Sequence, residues 1–382
     1  MEIAKNRIIE PSVHFRLLTT GERKETIWQE LEAGAWKHIQ PELFESNTQL
    51  GELNRASRSP IMNDILPIHR GMVWEEQNKR VTDPRFLPQL QPTILDDFLQ
   101  AAKNFFDRFQ DKHIGIHLSG GLDSSIIIAL LKYFEIPFSL VGMTTTRYEF
   151  RTERYLQQIL AEWGRAAVLL DYDNYLPLSY IEDVPPHQYP EMLSGDYYKS
   201  VAMAKECEQL GINLLLTGNG GDNLFAEPIP NNPDECTWMP QVFGDPWLED
   251  FAYSPEGVEV QTFYADEGVM NAIYNLRLGQ VEDNAKLWAR QFFKDFLPKE
   301  LVNYTYCADF WGLHIDGLLQ ALPTIQKLFN NAYDLTGNIY FSPKKTKELL
   351  NQDLLEAEKK KYQAIESRIA LAIWLNSLFK SE

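Results

Sequence analysis

The residues Ile116–Ser125, IHLSGGLDSS, set the architecture to expect from the rest of the chain. On their N-terminal side, Ile114, Ile116 and Leu118 alternate through HIGIHL as in a strand. On their C-terminal side, SSIIIALLKYF has the length of a helix and closes on Lys132 and Glu135. Between the two, Gly120 and Gly121 let the backbone turn sharply and bring N–H groups close to a ligand. Ser119, Ser124 and Ser125 add hydroxyls, and the new helix aims the positive end of its dipole at the loop. Such a loop suits a phosphate or pyrophosphate. Asp123 would repel that anion unless a cation lay between them, so Mg²⁺ on Asp123, bridging to the phosphates, is the economical reading. The pattern is not a Walker A loop, because no Gly-Lys-Ser/Thr follows four spacer residues. A plain turn capped by Asp123 or Ser124 is the competing structural reading. The full Ser-Gly-Gly-x-Asp-Ser string after a strand favours the binding loop.

The neighbouring segments repeat the alternation. The stripe Ile94, Leu95, Phe98, Leu99, Ala102, Phe105, Phe106 and Phe109 predicts a helix ahead of the first strand. Residues 137–143 read as a second strand, 151–164 as a helix ended by Gly164, and AAVLLDYD as a third strand. Residues 195–211 read as a helix ended by Gly211, and 212–218 as a fourth strand. Strands alternating with helices imply right-handed βαβ units and a parallel sheet, with ligands at the strands' carboxyl ends. Both glycine turns, after Leu118 and after Thr217, fall at such ends.

Elsewhere the pattern is weaker. Ile27, Leu31, Trp36 and Ile39 have roughly helical spacing, and Asn47 to Arg85 looks like loops. Beyond Ala226 a proline- and asparagine-rich surface loop is expected, then helices at 266–279, at 282–296 and, amphipathic, from about 351 to 380. The expected organisation is an N-terminal region, 1–92, of unassigned role, a remnant or a docking segment, followed by a domain over 93–382 that carries both glycine turns.

Composition narrows the classes of function. The chain has 382 residues, 44% of them hydrophobic, enough for a large core, and a formal net charge of −18. That charge argues against a nucleic-acid groove, which needs the opposite field. Cys207, Cys236 and Cys307 form no CxxC pair, so neither a zinc knuckle nor a disulfide framework is expected. No signal-like or membrane-spanning apolar run occurs, and a cytoplasmic protein without membrane contact is the simplest expectation.

SGGLDSS resembles the pyrophosphate loop of ATP pyrophosphatases, in the form seen in asparagine synthetases and their relatives. LLLTGNGGDNLF (214–225) is similar to the family's strand-end GEGADELFGG, with Gly218, Gly220, Asp222, Leu224 and Phe225 matching. KLWARQFFKDFLPKEL (286–301) resembles the family's helix that carries a Lys, then an Arg, and ends in Leu-Pro. The likeness spans roughly residues 93 to 315 and implies an α/β fold. That fold is a parallel sheet of the adenine-nucleotide α-hydrolase (PP-loop) type with a mostly α-helical C-terminal extension. It further implies that Asp123 and Asp222 hold Mg²⁺, and that Ser119, Gly120, Gly121 and Ser124 cradle the β- and γ-phosphates of ATP. Leu118, the backbone of Val141, Gly142 and Met143, and Gly218 would frame the adenosine. The implied reaction is adenylation of a carboxylate and attack by an amine to give an amide, AMP and pyrophosphate.

Several departures bear on that expectation. The family's glutaminase nucleophile follows the initiator Met, whereas residue 2 here is Glu2 and only about 90 residues precede the synthetase-like part. The amine should therefore come from a substrate, which turns the resemblance towards lactam-forming relatives: β-lactam synthetases, carbapenam synthetase and lasso peptide cyclases. The expected substrates carry a carboxylate and an amine, a peptide among them, with a partner protein of the same pathway as a further candidate. The family's catalytic lysine aligns with Tyr306 or Cys307, and its GEG glutamate with Asn219. Another cation, Lys286 first and Lys294 or Lys299 next, would have to enter the site. Two alternatives follow, a degenerate synthetase that binds ATP or a peptide without catalysis and a tRNA-modifying ATP pyrophosphatase. Glu149, Glu153 and Arg154 near the nucleotide, and the loop 185–198 on the substrate side, are lesser candidates.

Overall fold

The computed structural model describes residues 7–9, 14–17, 23–24, 65–68, 73–75, 80–82, 94–187, 190, 192–226, 252–277, 286–304, 310–337, 341–350 and 359–378. Near the N-terminus lie six short strands: β1 (Arg7–Ile9), β2 (His14–Leu17), β3 (Arg23–Lys24), β4 (Ile65–Ile68), β5 (Val73–Glu75) and β6 (Arg80–Thr82). They form two antiparallel sheets, ordered β1-β5-β6 and β3-β2-β4. This corrects the loop reading of 47–85. Strands of three or four residues are too short to display an alternating period, and β4 and β5 pair with strands far back in the sequence. The helical spacing at 27–39 and the proline-rich loop after Ala226 lie outside the described residues.

The central sheet contains β7 (Ile114–His117), β8 (Phe138–Thr144), β9 (Ala167–Asp171), β10 (Leu214–Thr217) and β11 (Glu259–Thr262). All pairings are parallel and the order is β11-β10-β7-β8-β9. Around β7 the chain first builds outwards through β8 and β9, then returns to add β10 and β11 on the other side. The reversal leaves a crevice between the carboxyl ends of β7 and β10, the position where such sheets bind ligands. β11 adds a strand beyond Ala226, where only a loop and helices were expected. Its four residues, Glu-Val-Gln-Thr, form a half-exposed edge that the helical stretch around it hides.

Helices cover the sheet: α1 (Leu95–Asp107), α2 (Leu122–Tyr133), α3 (Arg151–Ala161), α4 (Tyr197–Gln209), α5 (Gly221–Ala226) and α6 (Glu267–Arg277). α1 buries the expected stripe through Phe98, Ala102, Phe105 and Phe106, and α6 packs along it. α2 is enclosed along Ile126 to Leu131, each at most 4% exposed, which is why its sequence shows a continuous apolar run.

The C-terminal part is helical: α7 (Leu287–Phe292), α8 (Lys299–Asn303), α9 (Trp311–Thr336), α10 (Pro343–Leu349) and α11 (Lys359–Leu378). α9 pairs with α11 around a second core of Leu318, Ile325, Phe329, Ile369, Ile373 and Trp374. α11 was expected to be amphipathic, yet every residue from Ile369 to Leu375 is buried. Among the described residues, no helix is long and apolar enough to cross a membrane.

Candidate functional site

The loop after β7 is shaped by its own side chains. Gly120 has φ +79, and a Cβ there would lie 2.6 Å from the Glu153 carbonyl oxygen, so this position requires glycine. The Ser119 and Ser124 hydroxyls sit 2.9 Å apart, and the Gly121 N–H donates to Ser119 Oγ at 3.1 Å. Ser125 is fully buried and donates to the Gly121 carbonyl at 2.5 Å, so its hydroxyl closes the first turn of α2 instead of facing the crevice. The loop is thus held in shape before any ligand arrives.

The second turn, from β10 into α5, touches the first. A Cβ on Gly218 would lie 2.9 Å from the Ser124 nitrogen, and one on Gly221 would meet the Asp123 carboxylate, 2.7 Å from Oδ2. Only glycines allow that approach, and its result is to bring Asp222 towards Asp123. Lys286 stands between them. Its ammonium lies 2.6 and 2.7 Å from the two Asp123 oxygens and 2.5 Å from Asp222 Oδ1. The Asp123 backbone is tied down as well, its carbonyl accepting from the Tyr264 hydroxyl at 2.8 Å.

The electrostatics follow from burial. Desolvation pushes the Asp123 carboxyl above its ordinary range, against the pull of the Lys286 charge. Burial also works against the Lys286 ammonium, yet Asp123 and Asp222 together hold it above its usual value. Of the three replacement cations suggested by the sequence, Lys286 is the one brought to the loop, while Lys294 and Lys299 are exposed. Tyr306 and Cys307 lie outside the described residues.

Beside the loop, a cavity of about 170 Å³ opens over the ends of β7, β8 and β9. Met143, Phe150, Tyr172 and Phe310 give it apolar walls suited to a flat ring, and Ser119 and Lys199 contribute polar atoms. Of the residues expected to frame adenosine, Met143 reaches this cavity, Leu118, Val141 and Gly142 are buried in the sheet, and Gly218 packs on the loop. Gln157 fixes the wall by donating to the carbonyls of Leu118 at 3.2 Å and Met143 at 2.7 Å.

Lys199 was not legible as a site residue. It enters the cavity from α4, bonded to Asp196 at 2.7 Å and 5.5 Å from the Tyr172 ring centre. Burial disfavours its charge, but Asp196 and Tyr172 hold it above its usual value. His117 lines the same cavity, and burial, aided by the Lys199 charge, pushes its imidazole down to about 4, so it is neutral at neutral pH. Glu153 accepts from the Tyr304 hydroxyl, and Arg154 donates to the carbonyls of Thr145 and Arg147, so both sit at the cavity wall as structural members. Glu149 is exposed, and His113 bonds the Gly211 carbonyl at the far end of β7.

The two carboxylates converge on one cation position, which fits Mg²⁺ in chemistry. Among the described residues no group of three or more metal-ligating side chains exists, so water and phosphate oxygens would complete the shell.

No curated protein matches the sequence. Residues 107–238 match the family model of asparagine synthase. That segment contains β7 to β10 and both glycine turns, so the likeness to asparagine synthase falls on the part of the fold that carries the site.

Proposed function

We propose that the chain adenylates a substrate carboxylate with ATP and passes the acyl group to an amine carried by a substrate, forming an amide or lactam. The observation that carries this reading is the convergence of Asp123 and Asp222 beside a preformed glycine loop at the reversal point of the sheet.

In this reading Ser119, Gly120, Gly121 and Ser124 hold the β- and γ-phosphates, and the apolar cavity at Met143 takes the base. Asp123 and Asp222 would hold Mg²⁺, which supplies charge neutralisation at the pyrophosphate leaving group. A carboxylate oxygen bonds to the α-phosphorus as the bond to the β-phosphate oxygen breaks. The amine then bonds to the acyl carbon, AMP leaves with the C–O electron pair, and the amine gives up a proton. The loop residues act by position and charge, since they touch phosphates and no reacting carbon. The resemblance of the glycine turns to lactam-forming synthetases supports a substrate from natural-product or modified-peptide synthesis.

Calorimetry with Mg²⁺ and α,β-methylene ATP tests this. Wild type should bind with micromolar affinity, and Asp123→Ala and Asp222→Ala should abolish it. Asp222 is 82% exposed at its side chain, so that variant keeps its fold. Folded wild type that binds no nucleotide would refute the reading. Binding without pyrophosphate release, across carboxylate and amine substrates, would favour a non-catalytic ATP-binding partner.

A further inference from the structure

Lys286 fills the position between the two carboxylates. Its three contacts, at 2.5 to 2.7 Å, engage both oxygens of Asp123 and one of Asp222. The lysine is placed there at a cost, because its backbone at the start of α7 is left-handed, with φ 54 and ψ 42. Its side chain is 8% exposed and its ammonium lies 5.9 Å from the Phe225 ring centre. Displacing it would strand a buried cation, and stranded buried charges are strongly unfavourable.

A free divalent ion has little to offer in exchange. It would gain two carboxylates already neutralised in part, with water for its other ligands. A polyphosphate alters both sides of the balance. Its oxygens complete the ion's shell, and its remaining charge gives the ammonium a new partner.

We propose that Lys286 is a resident counter-ion that keeps Asp123 and Asp222 closed to free divalent ions and yields only to an ion arriving with a polyphosphate. On that arrival its ammonium transfers from the carboxylates to the phosphates. Lys286 is therefore a positioning residue that makes the metal–nucleotide complex the species bound. The final transfer rests on the nucleotide reading above, whereas the closure to free ions does not.

The test uses Mn²⁺ as the probe, with its binding to the full chain followed by electron paramagnetic resonance. Wild type should bind Mn²⁺ weakly alone and at least about tenfold more tightly with α,β-methylene ATP present. Lys286→Met should bind free Mn²⁺ about tenfold more tightly than wild type, and Lys286→Arg, which restores the charge, should not. A lysine of purely structural value would lower stability in both variants and leave Mn²⁺ affinity unchanged. Wild type that binds free Mn²⁺ as tightly as Lys286→Met overturns the proposal, and Lys286→Gln replaces the methionine variant if that one does not fold. If nucleotide binds to none of the proteins while Lys286→Met still gains Mn²⁺, the ATP reading fails and the closure by Lys286 stands.

Discussion

Gly120→Ala isolates what the loop demands of its backbone, and Gly257→Ala provides the matched control. Both glycines are left-handed, with φ +79 and +72. A Cβ on Gly257 meets nothing within 4 Å, so its substitution costs only the conformational penalty of about 1 kcal/mol. A Cβ on Gly120 meets the Glu153 carbonyl oxygen at 2.6 Å and Gln157 Cγ at 3.1 Å. The first of these belongs to the backbone of α3 and is held by the helix, so it yields little. Overlap of this kind adds roughly 2 kcal/mol to the backbone penalty, for a total near 3 kcal/mol. Urea melts followed by fluorescence should show Gly120→Ala shifted to lower midpoint at unchanged slope, with a loss exceeding that of Gly257→Ala by about 2 kcal/mol. Because Gly120 shapes the loop, its variant should also weaken α,β-methylene ATP, while Gly257→Ala should bind like wild type. Equal stability losses in the two variants would refute the argument that close approach, and not left-handed geometry alone, dictates glycine at 120.

Three further outcomes follow from the same geometry. Gln157→Leu leaves the buried carbonyls of Leu118 and Met143 without their donor and should cost about 2–4 kcal/mol in the same melts; a loss under about 1 kcal/mol would show that the wall does not depend on it. Lys286→Met strands Asp123 beside Asp222 and should cost about 3 kcal/mol, of which Asp123→Asn in the same chain recovers at least about 1 kcal/mol; additive losses would deny the coupling. Burial, with the Asp196 charge adding to it, pushes the Glu366 carboxyl from 4.5 up to about 7, so the folded state prefers the protonated form. That stabilisation is complete below pH 4.5 and is lost as pH rises through about 7. Glu366→Gln should then be more stable than wild type near pH 8, by on the order of 2 kcal/mol, with the gain vanishing towards pH 4; a gain independent of pH would contradict the cause.

Much of the site was legible in one dimension because its parts are local. A strand, a glycine turn and a helix sit within Ile114–Tyr133, and their periods and turn residues are readable without knowledge of contacts. The same holds for Leu214–Ala226, and the βαβ alternation between them predicts the parallel order. The small N-terminal strands and β11 were not legible, since each depends on a partner elsewhere in the chain and shows too few residues for a period. Lys199 was missed for a related reason. One lysine among the polar residues of α4 carries no signal of its own, and only the seating of that helix turns it into the cavity.

The chain's own order of residues determined that glycines, hydroxyls and carboxylates gather at the ends of two strands, because each strand, turn and helix is one contiguous segment. The fold decided what the charges meet. Asp123 and Lys286 are separated by 163 positions; a motif nominates Lys286 as a candidate, but no local period places its ammonium on both carboxylates. They come together because α7 packs its Trp288 and Phe292 onto Phe225 and Phe293, the same aromatic core that carries α5 and hence Asp222. Backbone periodicity is a local property and can be read in sequence, whereas the convergence of three charges on one point is a consequence of core packing, which only the tertiary structure contains.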